Sequence, residues 1–313
     1  MSGEEIIFLN PIYRNNLWGG RELNKRFGYE LPNGLVVGEC AIISGHPKLD
    51  CVVSHGMYKG KTLSWLWNNC RTELFGNMQG DCFPLIIKLL DANKDLSIQV
   101  HPNDEYAQRV EGESYGKKEC WYIIDCNQDS SLIIGQNASN RSEFNKMAKD
   151  GDWDTLLNYV PINKGGFFQI NAGTLHAIKA GTLVLEVQQC SDTTYRVYDY
   201  DRIQKDGTKR KLDIDKALDV IDYSAKPPSS AIVSPKSEGS YVLESNDSYT
   251  VTKIVISKYL YLPINNPFAC VFVLTGNGTI NDIKVRPGLC FLATNQCTSL
   301  DIVGEITLII ATS

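Results

Sequence analysis

The sequence predicts a chain dominated by β-structure, built as two related barrels with a few short helices. Three observations lead there. Short apolar or alternating runs recur along the 313 residues, among them "LVVGECAIIS", "PLIIKLL", "ECWYIID", "GTLVLEVQQ" and "ITLIIA", with Gly, Pro and Asn between them. That spacing is the pattern of an antiparallel sandwich or barrel. Few of these runs alternate with long helical segments, which disfavours a parallel α/β sheet. Finally, "NAGTLHAIKAG" is echoed by "GNGTINDIKVRPGLCFLATN". Aligning Gly173 with Gly288 sets His176 against Phe291, so only the first barrel is expected to hold a metal.

The helices are few. In "KTLSWLWNNCRTELFG", Leu63, Leu66, Trp67, Cys70 and Leu74 share one helical face. Asn103-Asp104 can cap a short helix after Pro102. "SNRSEFNKMAK" follows a Ser/Asn cap, "DWDTLLNYV" starts from Asp152, and Ile214, Ala217, Leu218 and Ile221 recur at helical spacing. Ser224 to Tyr241 is rich in Pro and Ser and reads as a linker. The expected organisation is a metal-binding domain over 1–223, a linker over 224–241, and a metal-free β domain over 242–313.

Composition narrows the function classes. With 43% hydrophobic and 21% charged residues the chain reads as an ordinary globular protein. A net charge of −5 argues against nucleic acid, because no basic excess exists to neutralise phosphates. An anionic small substrate needs only a few cations in a cleft and stays compatible. "MSGEEIIFLNPIYRNN" is neither a signal peptide nor a membrane span. Ten cysteines with no CxxC pair read as reduced, mostly buried thiols in a cytoplasmic protein. No membrane partner is expected, and the chain is expected to be a monomer or homodimer.

Candidate ligands come from three stretches. In "LSIQVHPNDEY", Leu96, Ile98 and Val100 alternate with Ser97, Gln99 and His101, so Gln99 and His101 project from the same face. In "YGKKECWYIID", Glu119 opens a strand, and in "INAGTLHAIKAG" the Gly173 turn presents His176. Two imidazoles, a carboxylate and an amide suit Zn²⁺ and are compatible with Fe²⁺ or Mn²⁺. The bland alternative is a strand-end histidine and an exposed strand glutamate. A fourth stretch, "LEVQQCSDTTYRVYDYDR", places Glu186 and Gln188 on one strand face and Arg196 on the next strand. Glu186 also fits a structural ion pair, whereas Arg196 offers a planar fork to an anionic oxygen.

"PLIIKLLDANKDLSIQVHPND", "YGKKECWYII", "GTLHAIKAG" and "LEVQQCSDTTYRVYDYDR" resemble, in order, the signatures of type I mannose-6-phosphate isomerases of the cupin superfamily. "LWGGRELNKRFG" and "GECAIISGHP" resemble that family's N-terminal stretches. The likeness is strong over about the first two thirds of the chain and points to the compact bacterial form, without the helical insertion of long members. It implies two cupin-type jelly-roll barrels and one Zn²⁺ held by Gln99, His101, Glu119 and His176. It further implies that the family's essential arginine is Arg196, that Lys117 and Glu186 match its conserved lysine and acid, and that Asp192 matches the aspartate of its "SDN" motif, here "SDT". Arg202 matches a position that is often basic.

The implied reaction interconverts mannose 6-phosphate and fructose 6-phosphate through a cis-enediolate. It needs polarised sugar oxygens, a proton shuttle on one face and an anchored phosphate. Arg196, Lys117, Asp192 and Arg202 are the expected substrate contacts. Glu186 is the first candidate for the shuttle, followed by a metal-bound water and by Lys117 with a lowered pKa. His46 and His55 lie outside these motifs. The alternative is a cupin that binds a sugar phosphate without converting it; such a protein is expected to lack a ligand or the arginine, and both are present.

Overall fold

The computed structural model describes residues 4–313 apart from 205, 226, 227, 229, 230 and 234. The first barrel is a sandwich of two antiparallel sheets. One sheet has seven strands and is centred on Leu85–Ala92, Glu119–Cys126 and Thr182–Gln189, and the other has five strands with Ile98–Val100 between His176–Ala177 and Tyr195–Tyr198. Alternation along each strand divides its side chains between two cores. Leu90, Trp121, Ile123, Ile134, Phe168 and Val184 fill the space between the sheets. The five-stranded sheet's other face carries the helices Asp104–Glu111, Arg141–Asp150 and Ile214–Val220 through Phe144, Leu156 and Leu218.

The second barrel is one eight-stranded sheet whose long strands Ala269–Ile280 and Ser299–Thr312 run beside each other. Its interior is apolar, with Val271, Phe291, Leu300, Ile302 and Leu308. The internal echo holds locally: Gly173 and Gly288 both take positive φ, 83° and 84°, a conformation glycine reaches without strain. Three residues on, His176 faces a polar pocket while Phe291 is 2% exposed in the apolar core. The largest core joins the outer face of the seven-stranded sheet to the second barrel, and Trp67, Phe75, Phe83 and Phe268 pack there ring on ring.

Three expectations are corrected. Residues 1–223 do not form the first barrel alone, because Ile6–Ile7 pairs with Cys290–Ala293 in the second barrel's sheet. The expected linker is built into both barrels: Ile232–Val233 pairs with Gly166–Ile170, and Gly239–Ser245 pairs with Thr250–Ile256. Pro and Ser flagged a linker, but an edge strand needs only its backbone groups to pair, and its outward side chains can be polar. The expected helical face from Leu63 to Leu74 splits at Cys70 into Leu63–Asn69 and Arg71–Phe75. The remaining assignments hold, including the Asn103 cap, whose side chain accepts from Tyr106 N. "DWDTLLNYV" is one helical turn, Trp153–Leu156, that runs into a strand. All ten cysteines are free thiols, and no described helix is long and apolar enough to cross a membrane.

Phe268 is fully buried and its ring centre lies 4.7 Å from that of Phe83. Phe268→Ala should therefore cost about 3–5 kcal/mol in urea unfolding. A loss below about 1 kcal/mol would show that the shared core does not tie the barrels together.

Candidate active site

Register decides which residues meet. His176 and Arg196 both pair with Gln99, from opposite sides, in the five-stranded sheet. On the facing sheet Glu119 pairs with Gln188, and Glu186 pairs with Trp121 and Lys88. The two sheets thus bring ligand and charged side chains into one cavity of about 110 Å³.

His101, Glu119 and His176 are each 1% exposed, and their ligating atoms lie within 4.8 Å of one another. Glu119 Oε1 is 3.4 Å from His176 Nε2, and Glu119 Oε2 is 3.6 Å from His101 Nε2. Each ring's Nδ1–H donates to a backbone carbonyl, His101 to Thr193 and His176 to Thr174, both at 2.9 Å. That fixes the tautomer and leaves Nε2 turned to the pocket, as metal-ligating imidazoles require. Burial, aided by the Lys117 charge, holds both imidazoles below their ordinary pKa, His176 at about 4. Both are neutral and able to ligate near neutral pH. The Gln99 carboxamide lies 3.4 Å from His176 Nε2 and its oxygen accepts from Ser97. A half-turn exchanges its oxygen and nitrogen, and the Ser97 hydroxyl can serve either.

These residues fit a divalent ion. Glu119 Oε1 is buried and accepts no hydrogen bond, which is costly for a carboxylate unless positive charge lies beside it. Two neutral imidazoles, one carboxylate and one amide oxygen make a donor set suited to zinc. Lys117 supplies a cation at the same point, with Nζ 2.7 Å from Glu119 Oε2 and 3.2 Å from His101 Nε2. It is 5% exposed, so this lysine is buried in the site rather than on the surface. Its pKa is not lowered either: burial pushes it down, but Glu119 and Glu186 push it up by more. Gly116 before it has no room for a Cβ, which would lie 2.4 Å from the Asn103 backbone.

Glu186 is 3% exposed and accepts from Trp121 Nε1 at 3.1 Å. Burial and the Glu119 charge raise its pKa against the pull of Lys117 and Lys88. Arg196 lines the same cavity, and its Nε is buried with no hydrogen-bond partner. Burial and nearby Arg210 lower its pKa, yet a guanidinium stays charged at any physiological pH.

Of two further expected substrate contacts, Asp192 lines the cavity and Arg202 does not. Asp192 reaches the cavity wall, but its carboxylate accepts from Arg14 at 3.2 and 3.0 Å and lies 3.8 Å from Lys88. Arg202 lies outside the cavity lining, held by Asp199 and by the Asp95 carbonyl. Arg210 takes that side of the cavity instead, with Nε donating to Asp199 Oδ2 at 2.7 Å. The "TKRK" run around Arg210 gave no sign of this, since three bases in four residues look like a solvated loop.

The sequence reading also missed Arg14, Glu39 and Lys88. Lys88 is 3% exposed and sits between Glu39 (3.4 Å), Glu186 (3.7 Å) and Asp192 (3.8 Å). A lysine inside the apolar strand "PLIIKLLDA" was the available signal. Five cations and four carboxylates line the cavity, so any bound metal makes it a site for anions.

Zinc measured by atomic emission on purified protein should be near one per chain and should fall sharply in Glu119→Ala. The loss should exceed the roughly 10–100-fold in affinity typical of losing a supporting contact; unchanged zinc would exclude Glu119 as a ligand. A second expectation concerns acid. Burial raises the Asp192 pKa, but Lys88 and Arg14 outweigh it and hold the group at about 2. A depressed carboxylate stabilises the fold above its unfolded value of about 4, and that contribution is lost as pH falls toward 2. Stability followed by urea unfolding from pH 5 to pH 2 should show an acid loss on the order of 2 kcal/mol that is absent from Asp192→Asn. Identical pH slopes would contradict the pairing.

Comparison with known proteins follows the same lines. Residues 6–135 match the family model described as "Phosphomannose isomerase type I, catalytic domain". The chain is 43% identical over 276 residues to mannose-6-phosphate isomerase ManA of Bacillus subtilis, covering 88% of this chain and 87% of that one. It superposes on a crystal structure of the mannose 6-phosphate isomerase from Bacillus subtilis with a TM-score of 0.91 at 38% identity, covering 99% and 100% of the two chains. A zinc-bound mannose 6-phosphate isomerase matches with a TM-score of 0.81 at 16% identity, covering 99% and 100%, which is a likeness of fold.

Proposed function

The chain belongs to the type I phosphomannose isomerase family, and we propose that its first barrel interconverts mannose 6-phosphate and fructose 6-phosphate. The observation that carries this reading is the convergence of His101, Glu119 and His176 with the uncompensated Arg196 Nε in one buried cavity. Gln99, His101, Glu119 and His176 would hold the zinc, which would supply Lewis-acid polarisation of sugar oxygens.

The chain's own groups do the rest. Arg196 and Arg210 take the phosphate end, where two guanidinium forks match its oxygens. Remote binding energy then holds C1 and C2 in register. Glu186 removes the proton from C2 of the aldose and delivers it to C1 on the same face, while the hydroxyl proton on O2 passes to O1, so that the cis-enediolate closes to the ketose with O2 as its carbonyl oxygen. Its burial raises its basicity, and Trp121 fixes its orientation. The cis-enediolate's negative charge develops beside Lys117 and Lys88, two buried ammonium groups that need no reorganisation. Asp192 acts as a positioning residue that holds Arg14 and Lys88, and Arg202 acts through Asp199 on Arg210.

The test is turnover of mannose 6-phosphate by the purified protein, with fructose 6-phosphate detected by coupled reduction of a nicotinamide. Turnover that a chelator abolishes and zinc restores is expected. Tight binding without turnover in the zinc-replete protein would establish the non-converting alternative. Arg196→Ala should lower kcat/KM by about 100-fold or more with zinc retained; loss of zinc together with activity would contradict a direct contact. Arg210→Ala should raise KM more than Arg202→Ala does, and the reverse order would return the phosphate to Arg202.

A further inference from the structure

An unexplained feature among the described residues lies behind the active site. A cavity of about 430 Å³ opens where the two barrels meet, within the size range of small-molecule sites and at a location where such sites gather. Strand Glu119–Cys126 forms part of its wall. Glu119, Trp121 and Ile123 point into the first barrel, so Tyr122 and Ile124 point the other way, into this cavity. The second barrel closes it with Val255, Leu274 and Pro287, and Phe27 completes an apolar floor.

Its charges are of one sign. Arg26, Lys164, Lys236 and Lys253 line the cavity, and none of the described lining residues is acidic. Arg26 is matched by Glu22 and Asp125, which lie outside the lining. Lys253 is 5% exposed, donates to the Pro235 carbonyl at 2.7 Å and lies 5.7 Å from the Tyr122 ring centre. Burial and the charge of Lys236 lower its pKa. Lys164 and Lys236 stand exposed at the rim. The hydroxyls of Thr275 and Thr307 add uncharged hydrogen-bonding groups.

We propose that this inter-barrel cavity is a second ligand site, for an amphipathic organic anion whose apolar body lies on Phe27, Ile124 and Leu274 and whose acidic head meets Lys164, Lys236 and Lys253. Burial of the apolar body supplies most of the affinity, and the cations select for charge. A sugar phosphate is disfavoured, because most of its hydroxyls would lose water against the apolar floor of Phe27, Ile124 and Leu274. The site is independent of the isomerase reaction proposed above, since none of its residues lines the catalytic cavity.

The test is isothermal titration of the zinc-loaded protein with octanoate, octyl phosphate and octanol, with and without saturating mannose 6-phosphate. At least one of the two anions should bind about tenfold or more tightly than octanol. Octyl phosphate has one more methylene in its tail than octanoate, worth about fourfold in affinity, so a ratio beyond that identifies which head the site prefers. Binding should persist under mannose 6-phosphate. The double variant Lys164→Glu/Lys236→Glu, altered only at the exposed rim, should keep its isomerase turnover and lose about tenfold in anion affinity. Equal binding of octanol, displacement by mannose 6-phosphate, unchanged affinity in the double variant, or no binding by either anion would each overturn the proposal.

Discussion

A carboxylate shut away from water has to be answered by positive charge, and Glu119 is that carboxylate. Its Oε1 accepts no hydrogen bond, its neighbours are two neutral imidazoles, and the one cation touching it is the Lys117 ammonium at Oε2. Removing an ion from water without compensation costs several kcal/mol. The barrel therefore encloses Glu119 only because its surroundings supply, or accept, more positive charge. A divalent ion ligated through both Nε2 atoms meets that requirement, and the backbone carbonyls of Thr193 and Thr174 have already turned the rings to receive it.

The remaining polar groups follow from the same constraint. Lys88 stands in a strand that is otherwise apolar apart from Asp91 at its end, and it survives there because Glu39, Glu186 and Asp192 surround it within 3.4 to 3.8 Å. Asp192 is in turn claimed by Arg14. Arg196 lines the same cavity, and its Nε finds no partner. Replacing buried ion pairs by apolar residues of similar volume is often neutral or stabilising, so a network of this size inside a barrel is better explained by chemistry than by folding. The second barrel supports the contrast. Where the first places His176, it places Phe291, and its interior is free of this electrostatic cost.

Much of this was legible in the sequence. Alternation in "LSIQVH" and "ECWYII" fixed which residues face inward, and that put Gln99, His101 and Glu119 on inner faces. The Gly173 turn placed His176. Periodicity reports the facing of one strand, however, and carries no information about which strands are neighbours. Asp192 and Arg202 are expected at the substrate, and it takes the tertiary structure to show that Asp192 lines the cavity while paired with Arg14 and near Lys88, and that Arg202 is held by Asp199. Arg210 could not be found at all, because its place depends on Asp199 holding it from another loop. The linker reading failed for a related reason. Proline and serine describe side chains, whereas Ile232–Val233 and Gly239–Ser245 are held by backbone pairing.

The central claim is that one divalent ion completes the Glu119 site. Anomalous diffraction from crystals of the purified protein, collected on both sides of the zinc absorption edge, addresses it directly. A single strong peak that vanishes below the edge, within ligand distance of Glu119 and of Nε2 of both His101 and His176, is the predicted result. A map with no such peak there, or with its only peak at surface carboxylates, would contradict the account.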